Sequence, residues 1–271
     1  MVEKVTAFLI VRNEQLLLPR CLDSLTGVVA EVVVLDTGSN DGTVAILEAA
    51  AADPTPPSLH WQRHRFRDFG SARQAALDLV RTEWALWIDA DEVVTPALQA
   101  RLCSLRASGE LATCDGWEIG LENRVYGRVM RARCLVGQYR LSLFRTRRAR
   151  YSDSLVHEGV QLAPPSRVGR IEEPLRHDTL VSWRHYLAKV NLYTDLETRC
   201  TAKRFNPLHL LVTGPATLWR EYIGRRCYRD GWPGLVWALL TAWGSILRDL
   251  KLLRNTWRRS RGAGSGDSFT S

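Results

Sequence analysis

The chain has 271 residues, 45% of them hydrophobic and 24% charged, which suffices for one α/β core with a smaller appended region and excludes a wholly disordered chain. The net charge of +8 is unevenly spread: from residue 199 to 259 twelve Lys/Arg stand against three Asp/Glu, and the remainder is close to neutral. This excludes a uniformly basic nucleic-acid binder and points to a catalytic body with a basic C-terminal region.

The apolar stretch from Val5 to Val11 stops at Arg12-Asn13-Glu14, too short for a signal peptide, so a cytoplasmic protein is expected. Six scattered cysteines with no C-x-x-C pair suggest neither a zinc site nor a disulfide framework and read as reduced, mostly buried residues. Short apolar runs at Lys4 to Val11, Glu31 to Leu35, Leu59 to His64 and Trp84 to Ile88 predict strands. Between them, Leu16 to Leu25, Thr43 to Ala52 and Ser71 to Val80 predict helices; the last carries Ala72, Ala75, Ala76 and Leu79 at helical spacing. The alternation predicts an α/β fold with a mostly parallel, Rossmann-like sheet and flanking helices, whose ligands gather at the carboxyl ends of the strands.

Further along, Gly116 to Val125 and Tyr139 to Phe144 predict more strands, and Ser182 to Glu197 a helix with Trp183, Leu187, Val190 and Tyr193 on one face. The expected organisation is a catalytic domain over 1–180, a helical basic region over 181–259 and a Gly/Ser-rich disordered tail over 260–271. Within the helical region, Leu235 to Leu247 is apolar for thirteen residues, short of the ~20 that span a bilayer. Flanked by Arg225, Arg226 and Arg229 and by Arg248, Lys251 and Arg254, it reads either as a helix lying in an anionic membrane interface or as one packed on the core or a second subunit.

The chemistry concentrates at strand ends. Trp84-Ala85-Leu86-Trp87-Ile88-Asp89-Ala90-Asp91-Glu92 ends an apolar strand in two aspartates one residue apart, and alternation in an extended chain would aim both carboxylates at one point. Such hard oxygen ligands suit Mg²⁺ or Mn²⁺; the plainer reading is that they end the strand and cap the helix at Pro96. Asp36 ends the second strand and opens Asp36-Thr37-Gly38-Ser39-Asn40-Asp41-Gly42-Thr43, where a carboxylate accepts hydrogen bonds from a base or ribose and Gly38 lets a ligand approach the backbone. Asp41 reads as a helix cap. The absence of G-x-G-x-x-G and of a P-loop disfavours a dinucleotide dehydrogenase and a P-loop NTPase.

The succession Phe8-Leu9-Ile10-Val11-Arg12-Asn13-Glu14, Val34 to Thr43, Gly70-Ser71-Ala72-Arg73 and Ile88-Asp89-Ala90-Asp91-Glu92 resembles family 2 glycosyltransferases. The resemblance implies a GT-A fold, a nucleotide-sugar donor, expected to be a UDP-sugar, and Mn²⁺ or Mg²⁺. It implies that Ile10, Val11, Arg12 and Glu14 flank the donor, that Asp36 and Gly38 meet its base or ribose, and that Arg73 reaches the nucleotide. Asp89 would approach the ribose or the metal, and Asp91 would ligate the metal. Arg73 also begins a helix, where its charge and the helix N-terminus both favour an anion; otherwise it is a solvated surface arginine.

The second half resembles the bacterial branch that extends lipopolysaccharide cores and similar glycolipids, through Tyr139 to Arg145, Val156-His157-Glu158-Gly159-Val160 and Arg176-His177. This chain reads Leu141-Ser142-Leu143-Phe144-Arg145 where that branch has a bulkier Arg-Leu-Phe-Arg block. The resemblance implies an inverting transfer to a glycolipid or surface-polysaccharide acceptor at the inner face of the cytoplasmic membrane. Glu158 fits the base that takes the acceptor proton, with His157 a further metal ligand or a hydrogen-bond donor to the diphosphate. His157 as base and Asp153 as a weaker candidate stay open. Rival readings are a protein or peptide acceptor, a nucleotidyltransferase, which would carry a Gly-rich phosphate loop where this chain has Arg12-Asn13-Glu14-Gln15, and a non-catalytic membrane-surface scaffold.

Overall fold

In the computed structural model, which describes residues 3–151, 159–200 and 207–263, strand and helix alternate through the first part of the chain. β1 (Val5–Val11), α1 (Leu18–Ser24), β2 (Glu31–Asp36), α2 (Thr43–Ala52), β3 (Ser58–Arg63), α3 (Phe69–Asp78) and β4 (Trp84–Trp87) match the predicted elements with ends shifted by no more than two residues. There follow β5 (Glu92–Val94), α4 (Pro96–Ala107), β6 (Gly116–Val125), β7 (Arg128–Val129), β8 (Gln138–Arg145), β9 (Ala149–Tyr151), β10 (Val160–Leu162) and β11 (Val168–Leu180). The last helices are α5 (Trp183–Cys200), α6 (Pro207–Trp219) and α7 (Trp232–Ala263).

By contacts the chain forms two compact units, Met1–Asn123 with Gly137–Asp178, and Arg124–Val136 with Thr179–Ser271. The main sheet runs β3-β2-β1-β4-β8-β6-β11-β5. Strands β3, β2, β1 and β4 are parallel, while β4 with β8, β8 with β6 and β11 with β5 are antiparallel. β1 is central and apolar on both sides, as a covered parallel strand must be. Its Ala7, Leu9 and Val11 join the core with Leu18, Leu98 and Leu102, while Phe8 on the other face packs with Ala76, Leu77 and Phe144.

The β1–β2 register sets Val11 beside Asp36, and the β1–β4 register sets Phe8 beside Trp87. The carboxyl ends of β2 and β4 therefore flank that of β1, the edge at which parallel α/β sheets bind ligands.

In the second unit α7 packs against α5 and α6 at small residues. A Cβ on Gly244 would lie 3.2 Å from Val190, and one on Gly214 would meet Ile246 at 2.7 Å. Lys251 is buried and donates to the Asn191 carbonyl and Oδ1, each at 2.6 Å, and to Thr194 Oγ1 at 2.9 Å, fastening α7 to α5. Ala238, Ala242 and Asp249 are buried on the packed side, whereas Trp232, Leu235, Leu239, Trp243, Leu250, Leu253 and Trp257 are 39–54% exposed. These seven recur at intervals of three, four and seven and form one stripe, so the outward face of α7 is apolar. Leu239 and Trp243 are thus not core residues. α7 continues past residue 260 to Ala263, and 264–271 lie outside the described residues. Among the described residues no helix is long and apolar enough to cross a membrane.

Candidate active site

The site is built on the turn that joins β4 to β5. The strand ends at Trp87, and the Glu92 N–H donates to the Asp89 carbonyl at 2.9 Å, so Asp89 and Asp91 lie in a turn. Strand alternation therefore does not set their directions, contrary to the sequence reading, and the two carboxylates take different partners.

Asp89 is held by arginines. Arg140 Nη1 lies 3.0 Å from Asp89 Oδ2, Arg73 Nη2 lies 3.5 Å from Oδ1, and the Trp87 indole N–H donates to Oδ1 at 3.2 Å. Both guanidinium groups lie over the Trp87 ring, at 4.1 Å for Arg140 and 4.6 Å for Arg73, which adds a cation–π attraction in a largely desolvated place. Arg140 also donates to the buried Glu92 at 2.6 Å, and Glu92 Oε2 in turn accepts from the Asp89 N–H at 2.9 Å. Burial raises the Glu92 carboxyl above its ordinary value even though Arg140 opposes it; burial also works against the Arg140 charge, but Glu92 and Asp89 outweigh it and raise that group as well. Cys21 donates to the Asp89 carbonyl from below, and its thiol is pushed up by burial and then by Glu92, Asp91 and Asp89, so it stays protonated.

Asp91, almost fully buried, faces a residue from the far end of the sheet. Its Oδ2 lies 3.5 Å from His177 Nε2. Strand pairing explains the meeting: β11 runs antiparallel to β5 with His177 opposite Glu92, and the Asp178 N–H donates to the Asp91 carbonyl at 2.8 Å. His177 Nδ1 contacts Asn123 Oδ1 at 2.8 Å, and the Asn123 amide donates to Gln138 at 3.1 Å. With Nδ1 turned to Asn123, Nε2 is the ring atom that faces the Asp91 carboxylate. An acidic oxygen and a backed imidazole fit a divalent metal. Asp178 is buried between Arg20 and Arg176 and so ties α1 to β11.

At the end of β2 the fully buried Asp36 accepts from the Ser39 N–H at 3.1 and 3.3 Å with its two oxygens. Gly38 has φ +109°, which side-chain-bearing residues rarely adopt, and nothing lies within 4 Å of where a Cβ would stand. The loop is laced to the one after β1: Asn13 N–H donates to Ser39 at 2.9 Å, Asn40 N–H to Asn13 at 2.8 Å, and Glu14 N–H to Thr43 at 2.8 Å. Val11 is buried beside Asp36, Ile10 is half-buried and Arg12 is exposed at the loop's start. Asp41 accepts from the Thr43 N–H and hydroxyl and from the Gln15 N–H. Partial burial works against its charge, but the bonds from Thr43 and Gln15 win and hold its carboxyl low.

Arg73 is mostly buried on α3, not a solvated surface residue; the helix is capped by Asp68, which accepts from the Ser71 N–H at 2.7 Å. His157, Glu158 and Asp153 lie outside the described residues; the strands on either side, β9 and β10, pair with Tyr151 opposite Val160, and Tyr151 packs edge-on to Trp87 at 5.5 Å. The sequence reading assigned no role to Arg140 or His177, although both sit in the motifs it singled out.

Residues 6–161 match the sequence profile of Glycosyl transferase family 2. The chain belongs to that family. It is a glycosyltransferase, and the resemblance drawn from its four N-terminal motifs holds. A full-length relative is the lipopolysaccharide core biosynthesis glycosyltransferase LpsC of Rhizobium meliloti, 28% identical and aligned over 95% of this chain and 94% of its own length. An uncharacterized glycosyltransferase of Rickettsia felis is 26% identical over 92% of this chain and 89% of its own. Among solved structures, the mannosyltransferase PcManGT of Pyrobaculum calidifontis, in complex with GDP-Man and Mn²⁺, superposes with a TM-score of 0.50 over 99% of this chain and 77% of its own at 17% identity. The shared fold is the GT-A arrangement expected from the sequence.

Proposed function

We propose that the enzyme transfers a sugar, with inversion, from a uridine diphosphate sugar to a glycolipid or a growing surface polysaccharide. The observation that carries this reading is the Asp91–His177 pair, an oxygen and a nitrogen donor set against each other at the turn that follows β4. Asp91 and His177 would hold Mn²⁺ or Mg²⁺, which when bound neutralises the donor's diphosphate and stabilises it as a leaving group. Asp36 accepts from the base or ribose in the pocket that Gly38 leaves open. Asp89, its charge already matched by Arg140 and Arg73, serves as the hydrogen-bond acceptor for the ribose, and Arg73 adds positive charge for the nucleotide. Glu158 takes the acceptor proton, and His157 donates to the diphosphate or joins the metal.

Calorimetric titration of UDP-sugars with and without Mn²⁺ tests the assignment. Wild-type protein should bind the donor more tightly with the metal, and Asp91→Ala and His177→Ala should each lose at least ~10-fold of that gain with the fold intact. Equal metal dependence in the wild type and both variants sinks it.

The acceptor class rests on the outward face of α7. A stripe of tryptophan and leucine in a unit rich in Lys/Arg suits the interface of an anionic bilayer, with indole rings at headgroup depth and cations against the phosphates. The full-length relation to a lipopolysaccharide core enzyme supports the same reading, in which the enzyme lies peripherally on the inner membrane face. Leu239→Ser with Trp243→Ser should abolish co-sedimentation with phosphatidylglycerol vesicles at unchanged melting temperature. A wild type that ignores such vesicles, or that self-associates through this face in a sedimentation run, overturns it.

A further inference from the structure

Far along the chain from the donor site, the second unit brings together two thiols and a carboxylate. Cys134, Glu221 and Cys227 offer one sulfur or oxygen each, and these donor atoms all lie within 4.8 Å of one another, with Cys134 Sγ 3.9 Å from Glu221 Oε2. Glu221 and Cys227 are fully buried and Cys134 is half-buried. Glu221 sits on a single π-helical turn, Arg220–Gly224, and Cys227 follows Arg226, whose φ of +63° is left-handed. Wide turns of this kind gather at functional sites. The segment bearing Cys134 is tied to the same turns: the Arg133 N–H donates to the Arg225 carbonyl at 2.9 Å, and the Arg131 and Ala132 N–H groups donate to Asp230 at 2.7 and 2.9 Å.

We infer that Cys134, Cys227 and Glu221 form a zinc site that clasps segment 124–136 to the turns before α7. Thiolate ligands select a soft or borderline cation over Mg²⁺ or Mn²⁺, so the site is distinct in kind from the oxygen and nitrogen pair at the donor. Zinc–ligand bonds of about 2.0–2.3 Å require donor atoms roughly 3.5–3.8 Å apart, within a small side-chain adjustment of those here. Three protein ligands leave a fourth position for water, which reaches the site at half-buried Cys134.

The charges also fit. Arg225 Nη1 donates to both Glu221 oxygens at 2.8 and 3.0 Å, and Arg220 donates to Oε1 at 3.1 and 3.2 Å, so the carboxylate is compensated before any ion arrives. Entry of one dication displaces one proton from each thiol, and the net charge of the cluster is unchanged. Burial pushes the Cys227 thiol up to about 12 and raises that of Cys134.

The test uses the full chain in an Asp91→Ala background, which removes the donor-site carboxylate, purified without metal-chelating resin and titrated with Co²⁺ alone. The expected result is a thiolate-to-cobalt charge-transfer band with tetrahedral visible bands, saturating at one ion per chain and bleached by Zn²⁺ with a rise in melting temperature. Cys134→Ser should lose the charge-transfer band; being the less buried position, it also serves if Cys227→Ser does not fold. No charge-transfer absorption, its persistence in Cys134→Ser, or a Cys134–Cys227 disulfide in protein purified without reductant overturns the inference.

Discussion

Replacing Arg140 by Met should be among the most damaging single changes outside the apolar core. The guanidinium answers two carboxylates, Asp89 at 3.0 Å and Glu92 at 2.6 Å, and lies 4.1 Å from the Trp87 ring centre. Glu92 has no solvent exposure, and its second oxygen finds no hydrogen-bond partner among the described residues, so Arg140 is the compensation for that charge. Deleting one partner of a buried pair costs about 3–5 kcal/mol, because the other is left desolvated. In a chain of this size that lowers the melting temperature by roughly 6–20 °C. Adding Glu92→Gln removes the stranded charge while keeping an acceptor for the Asp89 N–H, so the double variant should recover most of the loss. Urea denaturation of the wild type, both single variants and the double variant completes the cycle. A loss below about 1 kcal/mol for Arg140→Met, or no recovery in the double variant, refutes the reasoning.

Asp68→Ala should cost about 1 kcal/mol through the lost α3 cap. Its burial opposes the charge, but the bonds from Ser71 and Arg67 hold its carboxyl below the ordinary 3.8. The cap's contribution is therefore full above that value and fades as pH falls through the lower folded one, so wild type and variant should converge in acid melting curves. Lys251→Glu would set a carboxylate among the Asn191 carbonyl, Thr194 and Asp195, and denaturation should show a loss on the order of 3–5 kcal/mol. A charge reversal meant to probe membrane binding must leave this lysine alone. Glu158→Gln should keep donor affinity and lower kcat by about 10²- to 10⁴-fold; a larger kcat loss in His157→Ala with donor binding intact would exchange the two roles.

The parallel strands could be read from the chain because each is a short apolar run covered on both faces, as Val32 to Leu35 and Trp84 to Trp87 show. β11 could not. It carries Arg170, Glu172, Glu173, Pro174 and Arg176, buries only Ile171, Leu175, Asp178 and Leu180, and so lacks the regular alternation that marks a strand. Missing β11 meant missing its pairing with β5, and with it the reason His177 meets Asp91. Arg140 was hidden for a related cause: nothing local ties it to Asp89, and only the antiparallel placement of β8 on β4, Leu143 opposite Leu86, brings them together. Asp36, Asp89 and Asp91 stand out in the sequence because each lies at or shortly past the end of an apolar strand.

The pairing of β11 with β5 also joins residues that lie far apart along the chain at the proposed cation pair. On the proposed reading the nucleotide contacts Asp36, Arg73 and Asp89 all fall within the first ninety residues, whereas His177 comes from β11, which lies against Glu92 of β5. A chain cut before β11 would keep Asp91 and lose His177, the other half of the proposed cation pair. If Asp91 and His177 hold the cation as proposed, tight retention of the donor waits on the pairing of β11 with β5.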